Sequence, residues 1–447
     1  MTSTPANPGP EPDLDLDLDL DATAVIARDL IRFDTSNFGE GRSNGETDAA
    51  EYVAAHLERL GLVPELIDSE PGRTSVVARV AGEDSSRGAL VVHGHTDVVP
   101  AIADDWSVDP FGGEIKDGML WGRGAVDMKN MDAMILTSLD DILSSGRKPA
   151  RDLVIAFFAD EEAGGVLGSH YLVKNRPDLF AGATEAISEV GGYSIDLDGT
   201  RAYLVQTGEK ALIWARLVAR GTAGHGSQIN SDNAITRLAG AVARVGSQEW
   251  PVHLTKTTTE LLGRVAAILG KDPQRTTPDE LAIATGTASR FISASLRNTA
   301  NPTGLTAGYK HNVIPDRAEA LLDIRVLPGQ EDEVIARIRE LAGPGVDVEI
   351  SHQDIGLETD FSGPLVDQMI ASLHEFDPEA QVLPYLLSAG TDNKALSTIG
   401  IKGYGFAPLQ LPPTLDFPAL FHGVDERVPL DALVFGRKVL TDLLLRY

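Results

Sequence analysis

The chain contains no cysteine, which excludes disulfides, thiol nucleophiles and Cys-ligated zinc, so any bound metal must rest on His, Asp and Glu. Basic residues are scarce: 38 Lys and Arg stand against 66 Asp and Glu, a formal net charge of −28. Binding to nucleic acid through counterion release needs clustered cations, so nucleic acid is not an expected partner, and the acidity reads as solubility. No apolar run reaches the roughly 18 residues that a membrane helix needs, so no membrane association is expected. Residues 1–12 have neither a basic flank nor an apolar stretch, so no secretory signal is expected, and a cytoplasmic location follows by default.

What is present is an ordinary globular composition, 43% hydrophobic and 23% charged, over 447 residues, a length that calls for two domains. Residues 1–21 are Pro-rich and then alternate Asp and Leu from Asp13 to Asp21. Aspartates on one side of a strand repel one another, so a disordered acidic tail is expected there. From Ala22 helical and strand patterns alternate. Val25, Ile26, Leu30 and Phe33 mark a first helix, and Ala50, Val53, Ala54 and Leu57 a second that ends near Gly61. Residues 75–80, 88–92 and 153–158 read as buried strands. A long helix at 129–145 carries Met131, Ile135, Leu139 and Ile142 on one face, with Gly146 as its stop. This pattern predicts an α/β fold with a mostly parallel mixed sheet covered by helices, formed from 22–206 and 356–447. Asp431 is the expected cap of the last helix.

The middle differs. The order strand, helix, strand, strand, helix, strand over 207–355 predicts an inserted α+β, ferredoxin-like domain, with an extra helical insertion at about 251–290. Residues 318, 320, 322, 324 and 326 are apolar and alternate with polar positions, the period of a half-buried strand.

Three segments carry candidate chemistry. His95-Thr96-Asp97 follows an apolar strand, where residues two apart share a side, so Asp97 can hold the His95 ring while its other nitrogen faces a metal. A surface histidine beside a turn aspartate is the alternative. In Trp121-Gly122-Arg123-Gly124-Ala125-Val126-Asp127-Met128-Lys129 the glycines permit a tight turn that aims Asp127 into a cleft, although an acidic helix N-terminus would look the same. Asp160-Glu161-Glu162 ends another strand; adjacent acids repel unless they are solvated or hold cations. If extended, neighbours point to different sides, so Glu162 can bind metal while Glu161 faces a water.

Together these segments resemble the co-catalytic metallopeptidase family of aminoacylases, glutamate carboxypeptidases, dipeptidases and succinyl-diaminopimelate desuccinylase. The resemblance is carried by Gly94-His95-Thr96-Asp97-Val98-Val99-Pro100, Trp106 with Asp109-Pro110-Phe111, Gly122-Arg123-Gly124 with Asp127-Met128-Lys129, and Asp160-Glu161-Glu162, in the family's order and spacing. It implies a zinc-peptidase-like domain in which His95 binds one metal, Asp127 bridges both, Glu162 binds the other, and Glu161 is the general base. Glu189, in Ile187-Ser188-Glu189-Val190, and His422, in His422-Gly423-Val424-Asp425-Glu426, stand where the remaining ligands belong. The implied cofactors are two divalent ions, zinc by preference, with cobalt or manganese as the alternatives that the ligands allow. Against three carboxylates two dications leave net positive charge, suited to a bound hydroxide that attacks an amide or peptide bond in a small substrate.

The resemblance also assigns residues in the inserted domain, which it makes a lid and a homodimer interface. His225, in Gly221-Thr222-Ala223-Gly224-His225-Gly226-Ser227, would stabilise the oxyanion; Asn312, in Asn312-Val313-Ile314-Pro315, and Gly390, in Ser388-Ala389-Gly390-Thr391-Asp392, would contact substrate. Arg325 lies opposite the apolar face of its strand and would grip a substrate carboxylate, a surface salt bridge being its other reading. His93 is expected to be buried or to support a ligand, and His56 and His170 to lie on helix surfaces. A narrow biosynthetic deacylase or desuccinylase, and a catalytically silent binding protein on the same fold, are the competing functions.

Overall fold

A computed structural model of the protein describes residues 20–447, and the acidic-tail expectation falls outside them except at Leu20 and Asp21. Asp21 caps the first helix, Ala22–Ile31, by accepting a hydrogen bond from the Thr23 amide at 2.9 Å. The chain forms two compact units. Among the described residues, one comprises 20–194 with Ser362–Ala380 and Ala395–Tyr447, and the other comprises Ile195–Phe361 with Gln381–Lys394. No helix among the described residues is long and apolar enough to cross a membrane.

In the first unit, strands run in the order Lys402–Gly405, Ala183–Ser188, Ala89–His95, Leu153–Phe158, Arg73–Val80, Glu65–Glu70. The first four are mutually parallel and Arg73–Val80 runs antiparallel to both of its neighbours, which is the expected mixed α/β sheet. Every residue of Ala89–His95 and Leu153–Phe158 is buried, because helices cover both faces. On one face the Lys129–Leu143 helix packs on Ala89–His95 and against the Ala22–Ile31 and Leu430–Arg446 helices. Its buried Met131, Ile135, Leu139 and Ile142 are the residues whose spacing predicted it. On the other face Leu172, Val173, Leu179, Phe180, Ala395 and Leu396 pack on Val91, Val154 and Phe158. The last helix departs from expectation at its start: Pro429 occupies the cap position and Asp431 lies in the first turn.

In the second unit, a four-stranded antiparallel sheet has the order Thr299–Ala307, Arg317–Val326, Ala211–Arg220, Val346–Gln353. The helices Ala234–Gly246 and Glu331–Ala342 cover one face, and the core takes alternate residues such as Ile213, Ala215 and Leu217 with Ala320, Leu322 and Ile324. This is the ferredoxin-like arrangement. The same unit holds Thr200–Glu209, paired in parallel with Gln381–Leu387 and antiparallel with Leu357–Glu358. Thr200–Glu209 is one continuous strand, so its pairing carries residues 381–394 into this unit, and the division differs from one at 206/207 and 355/356. The 251–290 segment is largely helical, and its Lys256–Ile268 helix packs on Gln381–Leu387.

Candidate metal centre

His95 is the last residue of the Ala89–His95 strand and is buried. Its Nδ1 lies 2.9 Å from the Asp97 carbonyl oxygen and 3.5 Å from the Asp97 carboxylate. A proton on Nδ1 bonds the carbonyl, which leaves the Nε2 lone pair facing outward. Nε2 faces Asp127 Oδ1 at 3.1 Å, Glu189 Oε2 at 3.5 Å and Glu161 Oε2 at 3.9 Å. The nearer hold on the ring is the Asp97 backbone carbonyl, with the expected carboxylate at the longer distance. That carboxylate also accepts from the amides of Glu161 (3.1 Å) and Glu162 (3.2 Å) and from Asn37 Nδ2 (2.9 Å), and so fixes the acidic turn.

Asp127 lies two residues before the Lys129–Leu143 helix, at the end of a turn in which Gly124 has φ +89°; a Cβ there would lie 2.9 Å from both Val98 and Lys129 side-chain carbons. Its Oδ1 faces His95, while its Oδ2 lies 3.2 Å from His422 Nε2. The same His422 nitrogen is 3.2 Å from Glu162 Oε2. Glu161 and Glu162 are not extended, contrary to the alternation argument. Asp160 adopts a left-handed conformation (φ 67°) and Glu161–Ala163 forms a 3-10 turn, which separates the two side chains by turn geometry. Asp160 is held by an ion pair with Arg73, which also bonds Glu46 at 2.6 Å.

Two donor groups result, His95–Asp127–Glu189 and Asp127–Glu162–His422, each with its ligand atoms within 4.8 Å of one another and both sharing Asp127. The charges crowded here are ones that bound cations would relieve. Burial and then the Asp127 charge push the Glu189 carboxyl up to about 8 and raise that of Glu162. Burial also opposes ionisation of Asp127, but the facing imidazoles of His422 and His95 hold its carboxyl below the usual range. Burial works against a charged His422, yet Asp127 and Glu162 lift it to about 11. Three crowded carboxylates with two imidazole nitrogens, and no sulfur, form a donor set suited to two dications.

Glu426 and Arg123 emerge only from the structure. Glu426 is fully buried; its Oε1 accepts from the amides of Val126 (2.6 Å) and Asp127 (3.1 Å), and its Oε2 pairs with Arg123 at 2.6 Å. The available signal was the position of Glu426 in the pentapeptide of His422 and of Arg123 in the glycine turn. Asn37, from the short Asn37–Gly39 strand, gave no sequence signal.

The remaining expected site residues lie in the second unit. His225 and Asn312 are brought together: Gly224–His225 pairs with Val313–Ile314, and the Gly226 amide donates to the Asn312 carbonyl at 2.9 Å. The Ser227 amide lies 3.2 Å from His225 Nδ1, so in the neutral ring the proton resides on Nε2. Arg325 is engaged by Asp323 two residues back (Nε–Oδ1 2.7 Å, Nη2–Oδ2 3.0 Å), which occupies one two-pronged edge of its guanidinium. Gly390 lies over Lys394, whose Nζ would be 2.4 Å from a Cβ at that position, and the next residue, Thr391, is bonded to the buried Glu209 through its amide (2.9 Å) and hydroxyl (2.7 Å). His93 is buried against Phe158, with ring centroids 5.4 Å apart. His56 is also buried, against expectation, on the inner side of the Thr47–Arg59 helix.

The chain is similar to known proteins over nearly its whole length. It is 26% identical to Aminoacylase-1 of Sus scrofa over 89% of each chain, and 30% identical to a probable carboxypeptidase S-like 2 of Dictyostelium discoideum over 80% of this chain and 71% of that one. In fold it is similar to an M20 family metallo-carboxypeptidase from Sulfolobus solfataricus (TM-score 0.75, 20% identity, covering 95% of this chain and 99% of that one). It is also similar to human carnosine dipeptidase 1 (TM-score 0.71, 14% identity, covering 97% and 96%). A sequence model of Peptidase family M20/M25/M40 matches residues 91–446, which span the whole donor set; the chain belongs to that family and is a metal-dependent hydrolase of amide or peptide bonds.

Proposed function

We propose that the protein hydrolyses the C–N bond of a small substrate bearing a free carboxylate, an N-acyl amino acid or a short peptide, with Glu161 as general base. The observation that carries this reading is the way Asp127 directs one oxygen to His95 and the other to His422, each imidazole facing its own glutamate. His95, Asp127 and Glu189 would hold one ion and Asp127, Glu162 and His422 the other, with zinc the first choice and cobalt or manganese compatible. The two ions would supply polarisation of the scissile carbonyl and acidification of a water. Glu161, outside both donor groups, would take the water proton and deliver it to the leaving nitrogen. Nε2–H of His225 would donate to the carbonyl oxygen as negative charge grows there. Asn312 and the Gly390 loop would contact the substrate, as would Arg325 through the edge not taken by Asp323. In this reading the second unit is the lid, and a homodimer forms through it. One of the two edge strands of its four-stranded sheet, Thr299–Ala307, with Leu305 exposed, supports self-association.

The test is a screen of the metal-reconstituted protein against N-acyl amino acids, dipeptides and N-succinyl amino acids. Turnover confined to one class identifies the substrate and separates a narrow deacylase from a peptidase. No turnover of any class, with two ions bound, would contradict the proposal.

A further inference from the structure

Five backbone and side-chain bonds tie the peptide carrying the shared ligand to the loop carrying His422. Glu426 Oε1 accepts from both the Val126 and Asp127 amides, at 2.6 and 3.1 Å. Its Oε2 pairs with Arg123 Nη1 at 2.6 Å, and Nη2 of the same guanidinium donates to the His422 carbonyl oxygen at 3.4 Å. The Gly122 amide donates to the Glu426 carbonyl at 3.0 Å. The neighbouring strands extend this contact, Arg427–Pro429 pairing antiparallel with Met119–Trp121. Arg123 is confined from its other side by the Trp106 ring, 5.1 Å away.

A buried ion pair is weak evidence for stability, since desolvation offsets most of the attraction. This pair has a narrower target. The Glu426 carboxylate holds the backbone amide of Asp127 itself, and its partner Arg123 holds the backbone carbonyl of His422 itself. We infer that Glu426 and Arg123 are positioning residues that couple the two cation sites, fixing the distance between the bridging Asp127 and the terminal ligand His422. The inference rests on the dinuclear reading above. It assigns neither residue to the metal or the substrate.

Glutamine at 426 keeps an acceptor for the two amides but turns its NH2 group towards a guanidinium that only donates, so the link to Arg123 is broken with little change in volume. Lysine at 123 keeps a charge opposite Glu426 but cannot reach both it and the His422 carbonyl with a planar fork. The experiment uses the full metal-free chain, Mn2+ as probe, calorimetry for the binding constants and electron paramagnetic resonance for the pair. Wild type is expected to take two ions and give an exchange-coupled signal. Glu426→Gln and Arg123→Lys, each checked for folding by circular dichroism, are expected to bind the weaker ion about 10- to 100-fold less tightly, the usual cost of losing a support behind a ligand. With two equivalents added they should show the signal of isolated Mn2+ in place of the coupled one. A purely structural role would lower thermal stability and leave constants and signal unchanged. If Glu426→Gln does not fold, Arg123→Lys decides. Both constants within about threefold of wild type and a retained coupled signal in a folded variant would overturn the inference. A wild-type chain that takes fewer than two ions overturns the dinuclear reading, and the coupling with it.

Discussion

Replacing Glu161 with glutamine separates proton transfer from metal binding more cleanly than any other single change at this site. Its Oε2 is 3.9 Å from His95 Nε2, farther than Asp127 or Glu189, and it belongs to neither group of mutually close donors. Its backbone amide is fixed by Asp97 at 3.1 Å, so the turn persists when the side chain is changed to a neutral isostere. Both cation sites should therefore keep all their ligands. What disappears is a group able to accept the water proton, a loss that typically costs about 10²- to 10⁴-fold in rate. At about 1.4 kcal/mol per decade this raises the barrier by about 3–5 kcal/mol. The assay is steady-state hydrolysis by metal-loaded wild type and Glu161→Gln, with metal content measured on the same samples. The expected result is two ions per chain in both, a fall in kcat of that size, and KM within about threefold, since a group acting only in the transition state contributes little to ground-state binding. A kcat within tenfold of wild type would refute the assignment of the base. Loss of an ion together with activity would refute it differently, by making Glu161 a ligand.

Asp97→Asn keeps the backbone carbonyl that orients His95 but replaces one acceptor oxygen by an amide that cannot receive the Glu161, Glu162 or Asn37 N–H groups. One buried donor left unpaired costs about 1–3 kcal/mol, so kcat should fall about ten- to a hundredfold and the thermal midpoint should drop; unchanged kinetics would contradict the account. Gly168→Ala places a Cβ 1.7 Å from the Ala159 carbonyl oxygen, so the turn from Asp160 to the Ser169–Asn175 helix must shift; urea denaturation should show a loss of about 3 kcal/mol or more, with activity falling in parallel. His56 is held neutral to about pH 4, by burial and then by the Arg59 guanidinium beside its Nδ1. The unfolded chain binds this proton from about pH 6.5 downward and the folded chain only near 4, so His56 withdraws stability as pH falls through that window, on the order of 3 kcal/mol in all. His56→Gln should flatten this slope, and parallel stability curves for variant and wild type between pH 7 and 4 would contradict it. Chelation should lower the thermal midpoint, because ions bound only by the folded chain stabilise it by mass action and their loss leaves the carboxylates of Asp127, Glu162 and Glu189 crowded together; an unchanged midpoint would argue that no ion is held.

Of the candidate ligands, His95, Asp127 and Glu162 stand where local sequence marks them, whereas Glu189 and His422 are reached only through the family resemblance. His95 ends an apolar strand and Asp127 follows a glycine turn, and these two belong to motifs whose order and spacing resemble a known family. Glu161 and Glu162 were singled out together, but for a reason that does not hold: a pleated strand was assumed where Asp160 turns the chain through a left-handed conformation. The Asp97 carboxylate does face His95, but the nearer contact of the Asp97 carbonyl is beyond two-residue periodicity, which says which side a side chain occupies and nothing of which backbone atom is nearer. Glu426, Arg123 and Asn37 were out of reach for another reason. Their roles arise when Arg427–Pro429 pairs with Met119–Trp121 and when Asn37 bonds Val98, pairings between segments far apart in the chain. The 251–290 segment carried a readable signal that went unused: Thr277-Pro278-Asp279-Glu280 is a capping box, and it starts the Pro278–Ile283 helix. His56 was placed on a surface by its polarity, whereas a neutral imidazole packs on the inner face of its helix.

The central claim is that Asp127 is shared by two cations. Anomalous diffraction from crystals grown with Zn2+, recorded on both sides of the zinc edge, tests it directly. Two peaks about 3.5–4 Å apart are expected, one among His95, Asp127 and Glu189 and the other among Asp127, Glu162 and His422. A single peak, or peaks that leave Asp127 uncoordinated, would contradict it.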